Sequence, residues 1–254
     1  MLVLERYERI VQLVNERGSI RVTELSEFCG VTEETIRRDL DNLEKAGRLR
    51  RSHGGAIRIQ DTDQQNETPF FEREVEHAEE KKRIALEAIK RIAPNDRIVL
   101  DASTTAWYMA SFMPDMSLTV LTNSIKVATE LSTKEKIQVL STGGILASRS
   151  LSFVGPLTER TLESYHVDKA FISCKGIRFD RGLSESNEWQ ATVKRTMLNI
   201  ADQVILLADS SKFGLQSFTR ISGFGQITEI ITDAGIDAET VTGLEELGIQ
   251  TTKV

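Results

Sequence analysis

Cysteine is scarce: only Cys29 and Cys174 occur in 254 residues. They lie far apart without metal-ligand spacing, so neither a disulfide framework nor a zinc site is expected. Cys29 reads instead as a small buried hydrophobe. The three histidines, His53, His77 and His166, fall at no catalytic or metal spacing, and no metal or cofactor is expected. Aromatic residues make up 6 % and are scattered, which excludes a stacking platform for single-stranded nucleic acid. No stretch is long and apolar enough to span a bilayer, so no membrane partner is expected. The opening MLVLERYERI is charged by its fifth residue, unlike a secretion signal, and a reducing cytoplasm fits. Positive charge is not in excess either. With a formal net charge of -6, any duplex-binding surface must be local. No internal repeat and no low-complexity tract is visible.

What remains is room for one small module and one full domain. Residues 22–53 carry the densest signal. Ser26, Gly30 and Ile36 have the intervals of a helix-turn-helix: a small residue at the crossing, a turn residue tolerant of positive φ, and a branched apolar anchor. Thr32 can cap the second helix, with Glu33 and Glu34 in its first turn, where the dipole favours carboxylates. Ile36, Leu40 and Leu43 form its inward stripe, and Glu34, Arg38, Asp41 and Lys45 the opposite side. Thr35, Arg37, Asp39, Asn42 and Glu44 fill the flanks. An earlier amphipathic helix carries Tyr7, Ile10, Val11, Leu13 and Val14 and is expected to end at Gly18. Gly47 is expected to stop the second helix. Leu49 to Arg51 and Ala56 to Ile59 then read as two strands around His53-Gly54-Gly55, which makes a winged helix-turn-helix.

A three-helix packing domain with a solvated charged face is the plainer alternative. Charge placement argues against it. From Arg37 to Arg58 there are seven Lys or Arg and three Asp or Glu. Arg37 and Arg38 open the recognition helix, and Arg50 and Arg51 enter the wing, so basic groups can meet phosphates on both sides of a major groove. His53 either contacts phosphate or shapes the turn. The first 60 residues hold eleven basic and ten acidic side chains. Duplex affinity should therefore be modest and salt-sensitive, with specificity drawn from base contacts and from pairing two modules in an oligomer.

The expected organisation is a winged helix-turn-helix over 1–59, a polar linker over 60–74 and an effector-binding domain over 75–254. Pro69-Phe70-Phe71 ends the linker's polar part and is expected to dock on the larger domain. Beyond Lys81, helical and extended segments alternate: strands at 97–100, 118–121, 137–140, 169–173, 204–208 and 230–232, with helices at 81–92, 106–112, 125–131, 157–165 and 188–200. This pattern predicts an α/β fold, a mainly parallel sheet covered on both faces. Ligands of such sheets bind beyond the carboxyl ends of strands. Polar clusters recur there: Asp101-Ala102-Ser103-Thr104-Thr105, Thr122-Asn123-Ser124, Gly143-Gly144, Lys175-Gly176 and Asp209-Ser210-Ser211-Lys212, with Lys194 on a helix. Hydroxyls, helix-start N–H groups and lysines together suit a phosphate, and their neighbours a sugar. Each cluster alone is more often a helix cap, a turn or a solvated lysine. Their recurrence at equivalent strand ends makes the case for a phosphorylated polyol or sugar.

Thr35-Ile36-Arg37-Arg38-Asp39-Leu40, followed by Arg50-Arg51-Ser52-His53-Gly54-Gly55-Ala56, resembles the DNA-binding signature of the DeoR-type bacterial regulators of sugar metabolism. Asp101 to Thr105, Thr122-Asn123-Ser124, Gly143-Gly144, Val154-Gly155-Pro156, Asp168 to Phe171, Val193-Lys194 and Asp209 to Gly214 match that family's sensor domain in order. The resemblance implies a sensor similar to ribose-5-phosphate isomerase and glucosamine-6-phosphate deaminase. It implies a phosphorylated sugar as inducer, repression of a catabolic operon, and a homodimer or homotetramer on double-stranded operator DNA. It assigns DNA contact to Thr35, Arg37 and Arg38, with Thr32, Arg50, Arg51 and His53 completing the candidate surface. It assigns the effector to Asp101, Ser103, Thr104, Thr105, Asn123, Ser124, Gly143, Gly144, Lys175, Lys194 and Lys212, to which Gly176, Glu188 and Asp209 are added. The family often has Gly at Ser103 and Arg at Ala147, and Arg149 stands near enough to substitute. The alternative is an isomerase- or deaminase-like enzyme bearing a DNA module, with Asp101, Glu185 and Glu188 as acid-base candidates.

Overall fold

The computed structural model describes residues 3–17, 19–45, 48–52, 54–57 and 67–254. Two compact units divide the chain, Met1–Thr62 and Asp63–Val254.

The first unit begins with α1 (Val3–Arg17), β1 (Ser19–Arg21), α2 (Val22–Cys29) and α3 (Glu33–Lys45). Gly30 ends α2 in the left-handed region (φ 64, ψ 36), a conformation without steric cost only for glycine. Ser26 fixes the turn from its hydroxyl, which donates to the Val31 carbonyl at 2.6 Å. Ile36, Leu40 and Leu43 are buried from α3 against Ile10, Leu13, Val14 and Leu25, each such side chain contributing about 1.5–3 kcal/mol. Asp39 departs from its expected flank position. It is buried and accepts from Arg6 Nε at 2.5 Å and Nη2 at 3.2 Å. It lies three residues after Ile36 and four before Leu43, so helical geometry places it on the apolar stripe.

The wing contains β2 (Arg50–Ser52) and β3 (Gly55–Ile57), paired antiparallel. A third strand, not expected from the sequence, joins them: β1 pairs with β3, giving the order β1-β3-β2. Three residues with one inward side chain, Ile20, are too few to show a period. Gly55 is required by this pairing, because a Cβ there would stand 2.2 Å from the Ile20 carbonyl oxygen. The expected roles of Gly18, Gly47, His53, Arg58 and Ile59 lie outside the described residues.

The second unit is built on seven parallel strands: β4 (Arg97–Leu100), β5 (Leu118–Thr122), β6 (Ile137–Ser141), β9 (Val167–Ile172), β12 (Ala201–Leu207), β14 (Glu229–Thr232) and β15 (Gln250–Lys253). Their order is β15-β14-β12-β9-β4-β5-β6, every pair parallel. Alternate residues enter opposite cores. Val99, Ala170, Ile172, Val204 and Leu206 face one layer, while Ile98, Leu100, Phe171, Ile205 and Leu207 face the other. The second layer also takes Phe112's helix α6 (Thr104–Phe112), α5 (Ala78–Ile89) and α7 (Ile125–Leu131). The first takes α8 (Pro156–Glu163), α9 (Glu188–Asn199) and α10 (Ala238–Glu246). The expected mainly parallel α/β sheet is the observed one.

Two smaller sheets complete the unit: β7 (Ile145–Ala147) with β8 (Ser152–Val154), and β10 (Gly176–Arg178), β11 (Gly182–Glu185) and β13 (Thr219–Ser222). Within the span expected as linker, α4 (Phe70–Val75) packs into this unit, with Phe70 fully buried and its N–H donating to the Arg149 carbonyl at 2.7 Å. From β4 the chain proceeds through β5 and β6 to one edge, then crosses to β9 and runs through β12 and β14 to the other. The order therefore reverses between β4 and β9, where an open parallel sheet leaves a crevice.

Candidate functional site: a recognition helix and an anion pocket

Just before α3, Thr32 Oγ1 accepts from the Thr35 N–H at 3.3 Å and lies 2.9 Å from Thr35 Oγ1. Thr32, Arg37 and Arg38 are exposed and Thr35 is half-buried. Arg37 pairs with Glu33 at 2.6 Å and Glu34 at 3.6 Å. Arg38 forms no ion pair among the described residues. Arg51 is engaged within the unit: its guanidinium pairs with Asp41 and its N–H donates to Glu44 at 2.8 Å. Arg50 lies in β2, and His53 lies outside the described residues. Arg37 and Arg38 are thus exposed cations on α3, and Arg9, Arg17, Arg21 and Lys45 are exposed elsewhere on the unit.

The second site stands at the reversal between β4 and β9. The loop after β4 carries Asp101 and Ser103 and leads into Thr104 and Thr105 at the start of α6, the loop after β9 carries Ser173, Cys174 and Lys175, and the segment after β12 carries Asp209 and Lys212. Ser103 caps α6, its hydroxyl accepting from the Ala106 N–H at 3.1 Å. The N–H groups of Thr104 and Thr105 belong to the helix's first turn, which has no internal acceptors. The pocket contains about 410 Å³ of non-atom space, its open mouth included, and is lined by Arg73, Glu76, Lys81, Ser103, Thr104, Thr105, Ser173, Cys174, Lys175, Glu185, Lys194, Asp209 and Lys212.

Lys194 organises its floor. The ammonium donates to Glu185 Oε2 at 2.6 Å and to the Ser173 carbonyl at 2.7 Å, and lies 3.2 Å from Asp101 Oδ2. Asp101 in turn accepts from the Ser103 N–H at 3.0 Å and the Ser173 N–H at 2.9 Å, joining the β4 and β9 loops. Burial works against both charges of the Lys194–Glu185 pair. Their mutual attraction, with Asp101 adding to the lysine's side, prevails and holds Lys194 above its ordinary value and Glu185 below. Lys194 is thus neutralised by its own carboxylates.

The remaining cations, Arg73, Lys81, Lys175 and Lys212, face Asp209 and Glu76. That half of the pocket carries surplus positive charge in a partly desolvated setting. Burial, reinforced by Arg73 and Lys212, brings Lys175 down to about 8. Burial and Lys212 bring Lys81 to about 8 as well. Burial pushes the Cys174 thiol up to about 12, so it is no nucleophile. Cations that depress one another's charge are stabilised when an anion lies among them. Among the described residues no group of His, Cys, Asp or Glu could hold a metal ion.

Of the candidate effector residues, Ser103, Thr104, Thr105, Lys175, Lys194, Asp209 and Lys212 line this pocket, and Asp101 stands directly behind it. Asn123, Ser124, Gly143, Gly144, Arg149, Gly176 and Glu188 are not among its lining residues. Asn123 donates to the Phe153 carbonyl at 2.9 Å, and Ser124 caps α7. The Gly143 carbonyl accepts from Thr158 Oγ1 at 2.7 Å, and a Cβ on Gly144 would stand 2.2 Å from that same oxygen. Glu188 is exposed at the start of α9. The sequence reading passed over Arg73, Glu76 and Lys81 as site residues. A signal existed for Lys81, which precedes Ile84, Ala85 and Ala88 at helical spacing and so falls on the buried face of α5.

Comparison with known proteins joins both halves. The DeoR-like helix-turn-helix domain matches residues 6–62, and the DeoR C terminal sensor domain matches residues 76–234. The HTH-type transcriptional regulator YulB of Bacillus subtilis (strain 168) is 56 % identical over 100 % of this chain and 98 % of its own. The L-fucose operon activator of Haemophilus influenzae is 38 % identical, covering 91 % of this chain and 92 % of its own. The lactose phosphotransferase system repressor of Streptococcus mutans is 37 % identical, covering 92 % and 93 %. A ribose 5-phosphate isomerase structure from Methanocaldococcus jannaschii aligns with 54 % of this chain and 55 % of its own at TM-score 0.41 and 17 % identity, too distant to bear on chemistry. The enzyme alternative gives way to these regulator relatives. A helix-turn-helix unit followed by a sensor domain over nearly the whole length places this chain in the DeoR family of DNA-binding transcription regulators.

Proposed function

We propose that the chain is a cytoplasmic, sugar-phosphate-responsive repressor of a sugar catabolic operon, acting on double-stranded operator DNA as a homodimer or homotetramer. Residues 1–59 form the DNA-binding domain, 60–74 the connector and 75–254 the sensor. Thr32, Thr35, Arg37, Arg38, Arg50, Arg51 and His53 supply the DNA surface, with Arg38 carrying the largest share because it holds no competing carboxylate among the described residues. The observation that carries the sensor assignment is the cation surplus around Lys175 beside the α6 N-terminus, at the strand-order reversal. A phosphate placed there meets Lys175 and Lys212 and the first-turn N–H groups, while Asp101, Asp209 and Glu185 present acceptors to sugar hydroxyls. Asn123, Ser124, Gly143, Gly144, Arg149, Gly176 and Glu188 complete the candidate set from outside the lining. No helix among the described residues is long and apolar enough to cross a membrane.

Repression follows from a population shift: inducer favours one arrangement of the oligomer, and the other spaces two recognition helices on the operator. The test is a thermal-shift panel of pentose and hexose phosphates against their unphosphorylated sugars. A cognate ligand at a hundredfold excess over its Kd stabilises by about 2.7 kcal/mol, a rise of about 5–10 °C. Equal shifts with unphosphorylated sugars, or none from any phosphate, defeat the sensor assignment. Arg38→Ala is expected to abolish gel-shift of selected operator duplexes while leaving the ligand-induced shift intact, and retained operator affinity defeats the role given to Arg38.

A further inference from the structure

The pocket's guanidinium stands on the segment that leads out of the DNA-binding unit. Arg73 lies on α4, and its Nε donates to the Thr68 carbonyl at 3.0 Å. Its Nη2 is buried and has no hydrogen-bond partner among the described residues. A buried cationic donor without an acceptor is unfavourable, and an anion in the pocket supplies the missing acceptor with the fork geometry that guanidinium favours. The backbone of the same segment is held by a second pocket cation. Lys81 Nζ donates to the Arg73 and Glu76 carbonyls, each at 2.6 Å. Side chain and main chain of residues 67–76 thus both depend on the charge state of the pocket. Residues 58–66 connect that segment covalently to the helix-turn-helix unit.

We propose that Arg73 is an effector-binding residue that closes on the bound anion, and that occupancy is transmitted by the tightening of residues 67–76 against the sensor domain. This rests on the assignment of the pocket to an anion. Anion binding replaces repulsion among Arg73, Lys175 and Lys212 by attraction to a shared counter-charge. The segment then loses freedom at the point where the chain enters the sensor domain. The sensor needs no large rearrangement for this, since only the attachment of one short segment changes.

The experiment is hydrogen exchange on the full chain, with and without inorganic phosphate. Phosphate is expected to slow the amides of Phe70, Glu72 and Arg73 by about tenfold or more, together with those of Thr104 and Thr105. Arg73→Gln is expected to raise the half-saturating phosphate concentration by about tenfold or more, the loss of one charge-assisted hydrogen bond. In that variant Thr104 and Thr105 are still protected at high phosphate and residues 70–73 no longer are. Arg73→Lys keeps the charge without the fork and is expected to give partial protection, so the test survives if Arg73→Gln fails to fold. Protection of Thr104 and Thr105 in the wild type with residues 70–76 unchanged overturns the proposal and leaves the anion pocket standing. So does wild-type phosphate affinity in Arg73→Gln. No protection at either place overturns the pocket assignment, and this inference with it.

Discussion

Replacing Lys194 by methionine is the sharpest test of how the pocket floor is held. The substitution keeps most of the side-chain volume and removes the ammonium. Asp101 and Glu185 then remain as two buried carboxylates, their side chains 1 % and 5 % exposed, without their shared counter-charge. Removing one partner of a buried ion pair costs about 3–5 kcal/mol, because the other charge stays desolvated. For a unit of this size that corresponds to a fall in melting temperature of about 6–20 °C. Both tryptophans, Trp107 and Trp189, belong to the sensor unit, so intrinsic fluorescence reports its unfolding without interference from the DNA-binding unit. The pH dependence gives an independent check. In the wild type, Glu185 is held below its ordinary value, so its contribution is present above the usual carboxylate range and is lost as pH falls through the lowered value. In the variant burial acts on Glu185 without the opposing ammonium, and protonation of that carboxylate relieves it. The deficit relative to wild type should therefore shrink between pH 7.5 and pH 5. A deficit below about 1 kcal/mol, the size of an exposed pair, or one that stays constant with pH, refutes the argument.

Two further outcomes follow from the same electrostatics. Lys175 and Lys81 are brought to about 8, so both are cationic below that pH and lose charge above it. Phosphate affinity should be retained at pH 7 and fall markedly by pH 9, and Lys175→Met should weaken binding and flatten the profile measured by calorimetry. In the DNA-binding unit, Arg6→Ala strands Asp39, whose side chain is 5 % exposed. Loss of about 3–5 kcal/mol is expected, read as an early helical melting phase that Arg6→Ala/Asp39→Ala partly reverses. No early phase in the single variant would show the pair to be dispensable.

The large sheet was legible because its strands are buried on both faces and read as short apolar runs, as at Arg97–Leu100 and Val204–Leu207. The small sheet of β10, β11 and β13 was not, because Gly176–Arg178 and Gly182–Glu185 are brief and carry polar residues inward, among them Ser184 and Glu185. The last strand, Gln250–Lys253, lies on the sheet edge and has no apolar residue to announce it. The same limit governed the site. Loops after β4, β5, β6, β9 and β12 look alike in sequence, each polar and suited to cap or turn. Only strand order separates them. β4, β9 and β12 are neighbours, while β5 and β6 lie beyond β4 on the other side of the reversal, so Asn123 and Gly143 stay outside the lining. Arg73 and Lys81 were hidden within a run of charges, REVEHAEEKK, that reads as a solvated surface. Asp39, Lys81 and Lys194 share one lesson: each is a charge at apolar spacing on a helix, and each proves buried with a partner or an acceptor.

The ammonium of Lys194 touches groups contributed by three chain segments that meet only after the central strands have aligned side by side. No fragment shorter than the span from Arg73 to Lys212 contains every charged group of the cleft. If the cleft takes the proposed anion, recognition is therefore available only to a completed sensor fold, and a truncated or half-folded copy would be deaf to the ligand even where its helix-turn-helix unit is intact.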